Sequence, residues 1–268
     1  MALALSLRNP HSILAAFRAR PQAVVDVRLP AGPPSKAWRE IEEMAGQHRV
    51  PVLHSATPDE RRRNRSHRDA SGGRGGEAEA TVKERPEVPL EALFADAPSD
   101  VGGEAASSGS RTQAPRLWLA LDQIQDPHNV GAIFRSAAFF GVAGIIVTRD
   151  RSAPMNATVY DVASGGIEAV PFANPANLAR ALSVAKKAGL WVLGASEHAE
   201  RELREVDRNR SWIVVLGNEE TGLRRLTAET CDEICCIAAL GKTVGSLNVS
   251  VAAGVLMAAL TARSEAAG

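Results

Sequence analysis

The chain has 268 residues, enough for one large domain or for a small domain followed by a larger one. Hydrophobic residues make up 45% and charged residues 23%, the balance of a globular protein, and aromatic residues at 4% argue against single-strand recognition on a stacking platform. With 31 basic residues against 31 acidic ones, a nucleic-acid partner would have to meet a local basic patch, since there is no global positive field.

Taken in chain order, the first zone is residues 1–57. Ser12 to Phe17 reads as helix, Ala23 to Val27 as strand, Trp38 to Gln47 as helix and Val50 to Leu53 as a short strand, so a small α/β domain is expected. The opening stretch MALALSLRNPHSILAAF is too short for a spanning helix and is broken at Arg8, Asn9 and Pro10. Residues 58–114 change character, with SGGRGG, EAEA and GGEAASSGSR. Such low hydrophobicity and clustered Gly and Ser predict a flexible linker. Within it six arginines fall between Arg61 and Arg74, a run that fits a solvated linker as well as contact with RNA phosphates.

From residue 115 onward the pattern alternates. Strands are predicted at Leu117 to Leu121, Gly144 to Thr148, Leu190 to Gly194, Trp212 to Leu216 and Glu233 to Ala238. Helices are predicted at Asn129 to Phe140, Met155 to Ala163, Pro175 to Ala188, Leu226 to Glu229 and Ser246 to Arg263. This alternation predicts an α/β domain over 115–268 whose parallel sheet is covered by helices on both faces. The most apolar segment, Val249 to Ala262, falls short of the roughly 20 residues a membrane span needs and reads as a buried helix. Cys231, Cys235 and Cys236 lack the paired spacing of a zinc site, so reduced thiols, no metal and a cytoplasmic setting are expected. No GxGxxG follows the first strand of this domain, so a dinucleotide-dependent oxidoreductase has no support.

Three segments carry polar residues where strands end. In the first, Leu121-Asp122-Gln123-Ile124-Gln125-Asp126-Pro127-His128-Asn129, a strand runs through a tight turn into a helix that continues to Arg135. Asn129 there fits a helix cap, and Arg135, about 240° further round the helix, fits a surface charge. In the second, Ile213 to Leu216 runs into Gly217-Asn218-Glu219-Glu220-Thr221-Gly222-Leu223, a glycine-bounded acidic loop at the carboxyl end of a strand. Ligands of open parallel sheets bind at such ends. In the third, Gly245-Ser246-Leu247-Asn248-Val249-Ser250, Ser246 fits an N-cap, and Asn248 and Ser250 put polar groups into an apolar first turn.

In this order and wording the three segments resemble the SpoU/TrmH family of RNA 2′-O-ribose methyltransferases over about residues 117–262. Ser164-Gly165-Gly166-Ile167-Glu168 resembles a further signature of that family, and residues 1–57 look like a degenerate form of the small ribosomal-protein-like RNA-binding domain found ahead of its catalytic domain. The resemblance implies a SPOUT-like fold with a deep trefoil knot, a homodimer in which both subunits contribute to one site, and S-adenosylmethionine as cofactor. By position it implies cofactor contacts at Leu193, Gly194, Leu216, Gly217, Ile237 and Leu247. The family's Ile-Pro-Met is replaced here by Ile237-Ala238-Ala239, and the spacing to Ser246 is one residue longer. Catalytic roles are implied for Arg135 and Asn129 in holding the target ribose and phosphate, with Glu219, Ser246 and Asn248 ordering the loops around them. Because a guanidinium stays protonated, Arg135 is expected to grip phosphate and hydroxyl and not to act as a free base. The implied substrate is structured RNA, a guanosine of 23S ribosomal RNA ahead of a transfer RNA. The alternative from another class is a non-catalytic RNA-binding or ribosome-assembly protein on the same fold.

Overall fold

A computed structural model of the chain describes residues 3–30, 33–54, 78–97, 115–241, 243 and 245–262. They fall into two compact units, Met1–Pro86 with Met155–Ala169, and Glu87–Pro154 with Val170–Gly268.

In the first unit, strands β1 (Ala4–Leu7), β2 (Val24–Leu29), β3 (Val52–His54) and β4 (Glu79–Lys83) form one sheet in the order β1-β4-β2-β3. β4 runs antiparallel to both neighbours, and β2 and β3 are parallel. Helices α1 (Pro10–Ala19) and α2 (Lys36–His48) accompany the sheet. α1 begins with Pro10, whose missing N–H costs nothing at that position, and the Asn9 side chain accepts from the His11 amide at 2.9 Å. Its buried side chains Ile13, Leu14, Ala16 and Phe17 recur at helical spacing and make one apolar face.

Two corrections to the sequence reading arise here. The segment 58–114 is not linker throughout: β4 lies within it, and so does a short helix, α3 (Leu90–Leu93), of the second unit. Ala80 and Val82 are fully buried in β4, but with only two apolar side chains in this strand no local pattern marks it. Its stability comes from pairing on both edges with strands remote in sequence. The arginine run 61–74 lies outside the described residues. The second correction concerns Met155 to Ala163. A helix does form there, α5 (Ala157–Ala163), but together with α6 (Gly166–Ala169) it belongs to the first unit.

The reason is a dense polar junction. Asp161 accepts from the amides of Arg8 and Asn9, and the Asn9 side-chain amide donates to the Asp161 carbonyl and to Ser164. Burial raises the Asp161 carboxyl above its ordinary value, and the two amides partly offset this. Arg20 makes a bidentate pair with Glu168 at 2.7 and 2.6 Å and also donates to the carbonyls of Lys83 and Glu84. The signature Ser164 to Glu168 therefore has a structural occupation.

The second unit holds a six-stranded, wholly parallel sheet: β5 (Leu117–Leu121), β6 (Gly144–Val147), β7 (Phe172–Ala173), β8 (Trp191–Ala195), β9 (Trp212–Leu216) and β10 (Glu233–Cys235). The order is β10-β8-β9-β5-β6-β7. All residues of β5, β6 and β9 are buried, as expected of strands covered on both faces. Trp118, Ala120, Ile213 and Val215 pack on one face against Leu178, Ala181, Leu182 and Ala185 of α7 (Leu178–Lys187) and against Leu93 and Phe94. On the other face α9 (Val249–Thr261) meets β5 and lies along α4 (Pro127–Phe140). A short helix, α8 (Arg225–Thr230), follows β9. Successive strands lie outward from β5 on one side, then the chain crosses to β8, β9 and β10 on the other. The switch point thus falls between β5 and β9, where ligands of open α/β sheets bind.

Breaking the Arg20–Glu168 pair tests the polar junction. The two side chains are 14% and 5% exposed, so Arg20→Ala leaves a buried carboxylate without its partner. A loss of about 3 kcal/mol in urea denaturation is expected. A loss below about 1 kcal/mol would show that water reaches the carboxylate.

Candidate active site

A cleft of about 1130 Å³ opens outside the carboxyl ends of β8, β9 and β10. Its walls are Ala195 to Arg201 after β8, Leu216 to Leu223 after β9, Ile234 to Ala239 with the exception of Cys236, and Gly245 to Val249 leading into α9. The second and third polar segments thus face each other across one space, and the first meets them beneath it.

The meeting point is Asn129. It is not a helix cap: Asp126 caps α4, its carboxylate accepting from the His128 amide at 2.9 Å, and Asn129 sits within the first turn, 8% exposed. The Asn129 Nδ2 donates to Glu219 Oε1 at 3.0 Å, and its Oδ1 accepts from Asn248 Nδ2, also at 3.0 Å. Asn248 Oδ1 in turn accepts from the Ser250 amide at 2.9 Å, the Ser250 hydroxyl at 2.6 Å and the Val251 amide at 3.4 Å. Asn248, and not Ser246, is therefore the N-cap of α9. The polarity of this chain is forced. Glu219 Oε1 accepts from Asn129, which fixes the orientation of both amides and leaves Asn248 Oδ1 facing the helix amides.

The acidic loop is shaped by close backbone contact. A Cβ on Gly217 would stand 2.3 Å from the Gly222 carbonyl carbon and 2.6 Å from the Leu223 nitrogen, so only glycine fits. Asn218 and Gly222 exchange backbone hydrogen bonds of 3.1 and 2.9 Å, and Gly222 adopts φ +66°. The Asn218 side chain closes the turn, accepting from the amides of Glu220 and Thr221 and donating to the Gln123 carbonyl at 2.9 Å.

The expected cofactor residues divide. Leu216, Gly217, Ile237 and Leu247 line the cleft, and so does Ser246. Leu193 and Gly194 do not: Leu193 is fully buried in the sheet, and Gly194 abuts Leu223 and Cys231. The residues that reach the cleft here are the next ones, Ala195 at the end of β8 and Ser196 just after it, because only the end of a strand clears the sheet. Arg135 is exposed on α4, lies outside the cleft lining, and makes no hydrogen bond or ion pair among the described residues. The loop Ser196 to Arg201 went unnoticed in the sequence because it carries no glycine signature and its position follows from tertiary structure alone.

The cysteines are quiet. Burial pushes the Cys231 thiol up to about 11 and the Cys235 thiol up to about 12, so both stay protonated near neutrality. Among the described residues no group of three or more His, Cys, Asp or Glu side chains is placed to hold a metal ion, and no helix is long and apolar enough to cross a membrane.

Gly217→Ala is expected to abolish binding of a ligand in the cleft, because the added methyl must push the Gly222 backbone aside. Equilibrium dialysis with labelled S-adenosylmethionine checks this. Retention of more than about a tenth of the affinity, a change under 1.4 kcal/mol, would mean that the loop yields without harm.

The model of the SpoU rRNA methylase family matches residues 116–258. A 23S rRNA guanosine-2′-O-methyltransferase of Pseudomonas aeruginosa is 35% identical over 249 residues, 92% of this chain and 92% of that protein. The enzyme of the same description from Vibrio parahaemolyticus is 46% identical over 141 residues, 53% of this chain and 57% of its own length. Among solved structures, the SpoU methyltransferase AviRb of Streptomyces viridochromogenes in complex with AdoMet shares the fold at a TM-score of 0.72 and 20% identity, covering 96% of this chain and 89% of that one. The family match spans all three polar segments, and the most extensive of these alignments runs through nearly the whole of both chains. The chain belongs to the SpoU rRNA methylase family.

Proposed function

We propose that the chain is an S-adenosylmethionine-dependent RNA 2′-O-ribose methyltransferase, with a guanosine of 23S ribosomal RNA as its target. The observation that carries this reading is the Asn248–Asn129–Glu219 chain, which joins three segments remote in sequence beneath one cleft. The relatives' described activity on a 23S rRNA guanosine supports the choice of substrate.

The cleft fits the cofactor on its own terms. A Cβ-excluding turn at Gly217 presents bare backbone, and Leu216, Ile237 and Leu247 offer apolar walls, a set suited to an adenine ring. When bound, S-adenosylmethionine supplies an electrophilic methyl group on a sulfonium. The residues of the chain have the task of orientation. Asn129, fixed on both sides, and Glu219 hold the loop against the base of α4, while Ser246 lies at the cleft wall ahead of the α9 cap. Positioning of this kind contributes up to roughly 7–11 kcal/mol of barrier reduction. Arg135 grips a phosphate oxygen and the 2′-hydroxyl, so that phosphate or water takes the proton.

Because Arg135 lies outside the cleft of its own chain, it meets the ribose where two copies build the site together. The homodimer proposed here uses α9. Along α9, Val249, Leu256 and Leu260 are buried within the chain itself, whereas Val251 and Val255 remain exposed and form the proposed contact. The first unit, which contains none of the three polar segments, selects the RNA, and the C-terminal segment threads as a trefoil knot. The protein works in the cytoplasm, where its ribosomal substrate is made, and the reaction needs no metal.

Arg135→Ala separates this reading from a plain surface charge. Single-turnover methylation of a 23S rRNA transcript is expected to be nearly abolished, with cofactor affinity unchanged and stability shifted by less than about 0.5 kcal/mol. Arg135→Lys should rescue poorly, since a point charge cannot copy the planar fork. Retention of more than about a tenth of the rate by Arg135→Ala, less than 1.4 kcal/mol of barrier, would defeat the mechanism.

A further inference from the structure

At the end of the central strand β5, beneath the acidic loop and outside the residues assigned above, sits a fully buried carboxylate. The Asp122 side chain is 0% exposed. Arg224 approaches it with both ends of its fork, Nη2 at 2.6 Å from Oδ1 and Nε at 3.0 Å from Oδ2. The Thr227 hydroxyl, itself buried, donates to Oδ2 at 2.8 Å. The Asp122 amide donates to the Leu216 carbonyl, the last residue of β9. Next to it Gln123 takes φ +62°, unusual for a residue with a Cβ, and its carbonyl receives the Asn218 side chain. Both residues of this turn therefore face the acidic loop: Gln123 holds its start, and Asp122 holds its exit, where Arg224 caps α8 and Thr227 lies in that helix's first turn.

We infer that Asp122 is a positioning residue for the cofactor, acting through Arg224 and Thr227 to hold the loop Gly217–Leu223 as the wall of the cleft; the inference rests on reading that cleft as the S-adenosylmethionine site. Gly222 and Leu223, which line the cleft, stand directly before Arg224 in the chain. Fixing Arg224 presses Gly222 onto Gly217, the contact that leaves no room for a side chain. A buried carboxylate with one guanidinium and one hydroxyl holds its partners far more rigidly than an exposed pair, because charge-assisted hydrogen bonds gain strength away from water. Arg224 is itself 46% exposed along its side chain, so the buried acid sets the geometry and the arginine follows.

The test is titration calorimetry of the full chain with S-adenosylmethionine, alongside methylation kinetics at varied cofactor. Asp122→Asn is expected to weaken cofactor binding about tenfold or more, with the loss falling on the cofactor KM and the change in kcat the smaller. Thr227→Val, which keeps the shape and removes one hydroxyl, should weaken it about threefold and serves if Asp122→Asn fails to fold. Thr227→Ser should restore the unaltered affinity. Should Asp122→Asn and Thr227→Val melt earlier yet keep the unaltered KM, the residue is structural only and the inference is overturned. Absence of binding by the unaltered chain overturns the cofactor reading and this inference with it, whereas equal affinity of altered and unaltered chains overturns the inference alone.

Discussion

The side-chain amide of Asn129 joins stretches of chain 90 and 119 residues away, and the architecture of the cleft depends on it. An asparagine suits this place because it offers a donor group and an acceptor group in a fixed plane. Here the donor meets a carboxylate and the acceptor meets another amide. Each group left unpaired at this depth would cost about 1–3 kcal/mol, which couples the ordering of the three loops. The polarity starts at Glu219 and ends in the amides of α9, which ties the acidic loop to the start of a helix without any covalent link.

The parallel sheet explains why the cleft is where it is. Strands covered on both faces expose only their ends, and the crossover order puts β9 between β5 and β8. The charges around the cleft are uneven. Glu197, Glu200, Glu219 and Glu220 line it, whereas Arg201 is tied to Glu233 at 2.9 Å. Such a lining favours a sulfonium cation and disfavours a phosphate.

Local pattern carried much of the fold. The predicted strand Trp212 to Leu216 coincides with β9 and Leu117 to Leu121 with β5, because a run of five apolar residues between polar turns fits nothing else of that length. The helices α4 and α9 were also visible, although their starts were misjudged. Asp126 and Asn248 cap them, and a cap is fixed by side-chain direction, which spacing alone does not reveal. β1, β4 and β7 were missed since each is short and draws its stability from neighbours far along the chain. For the same reason residues 155–169 could not be placed. Their sequence sits amid the sheet domain, yet Asp161 and Glu168 find their partners in Arg8, Asn9 and Arg20.

The sequence by itself determined the class of the protein. Alternating apolar strands and helices required a covered parallel sheet, and the wording of three polar segments, with Asn129, Arg135, Glu219, Ser246 and Asn248 among them, marked the family. Only the tertiary structure decided how those residues cooperate: that Asn129 relays and does not cap, that Ala195 and Ser196 face the cleft in place of Leu193 and Gly194, and that Asp122 lies buried under Arg224. The physical reason is range. Apolar periodicity and glycine turns act over a few residues and are written locally, whereas a hydrogen bond or a buried ion pair joins whatever the finished sheet brings within 3 Å, irrespective of the chain between.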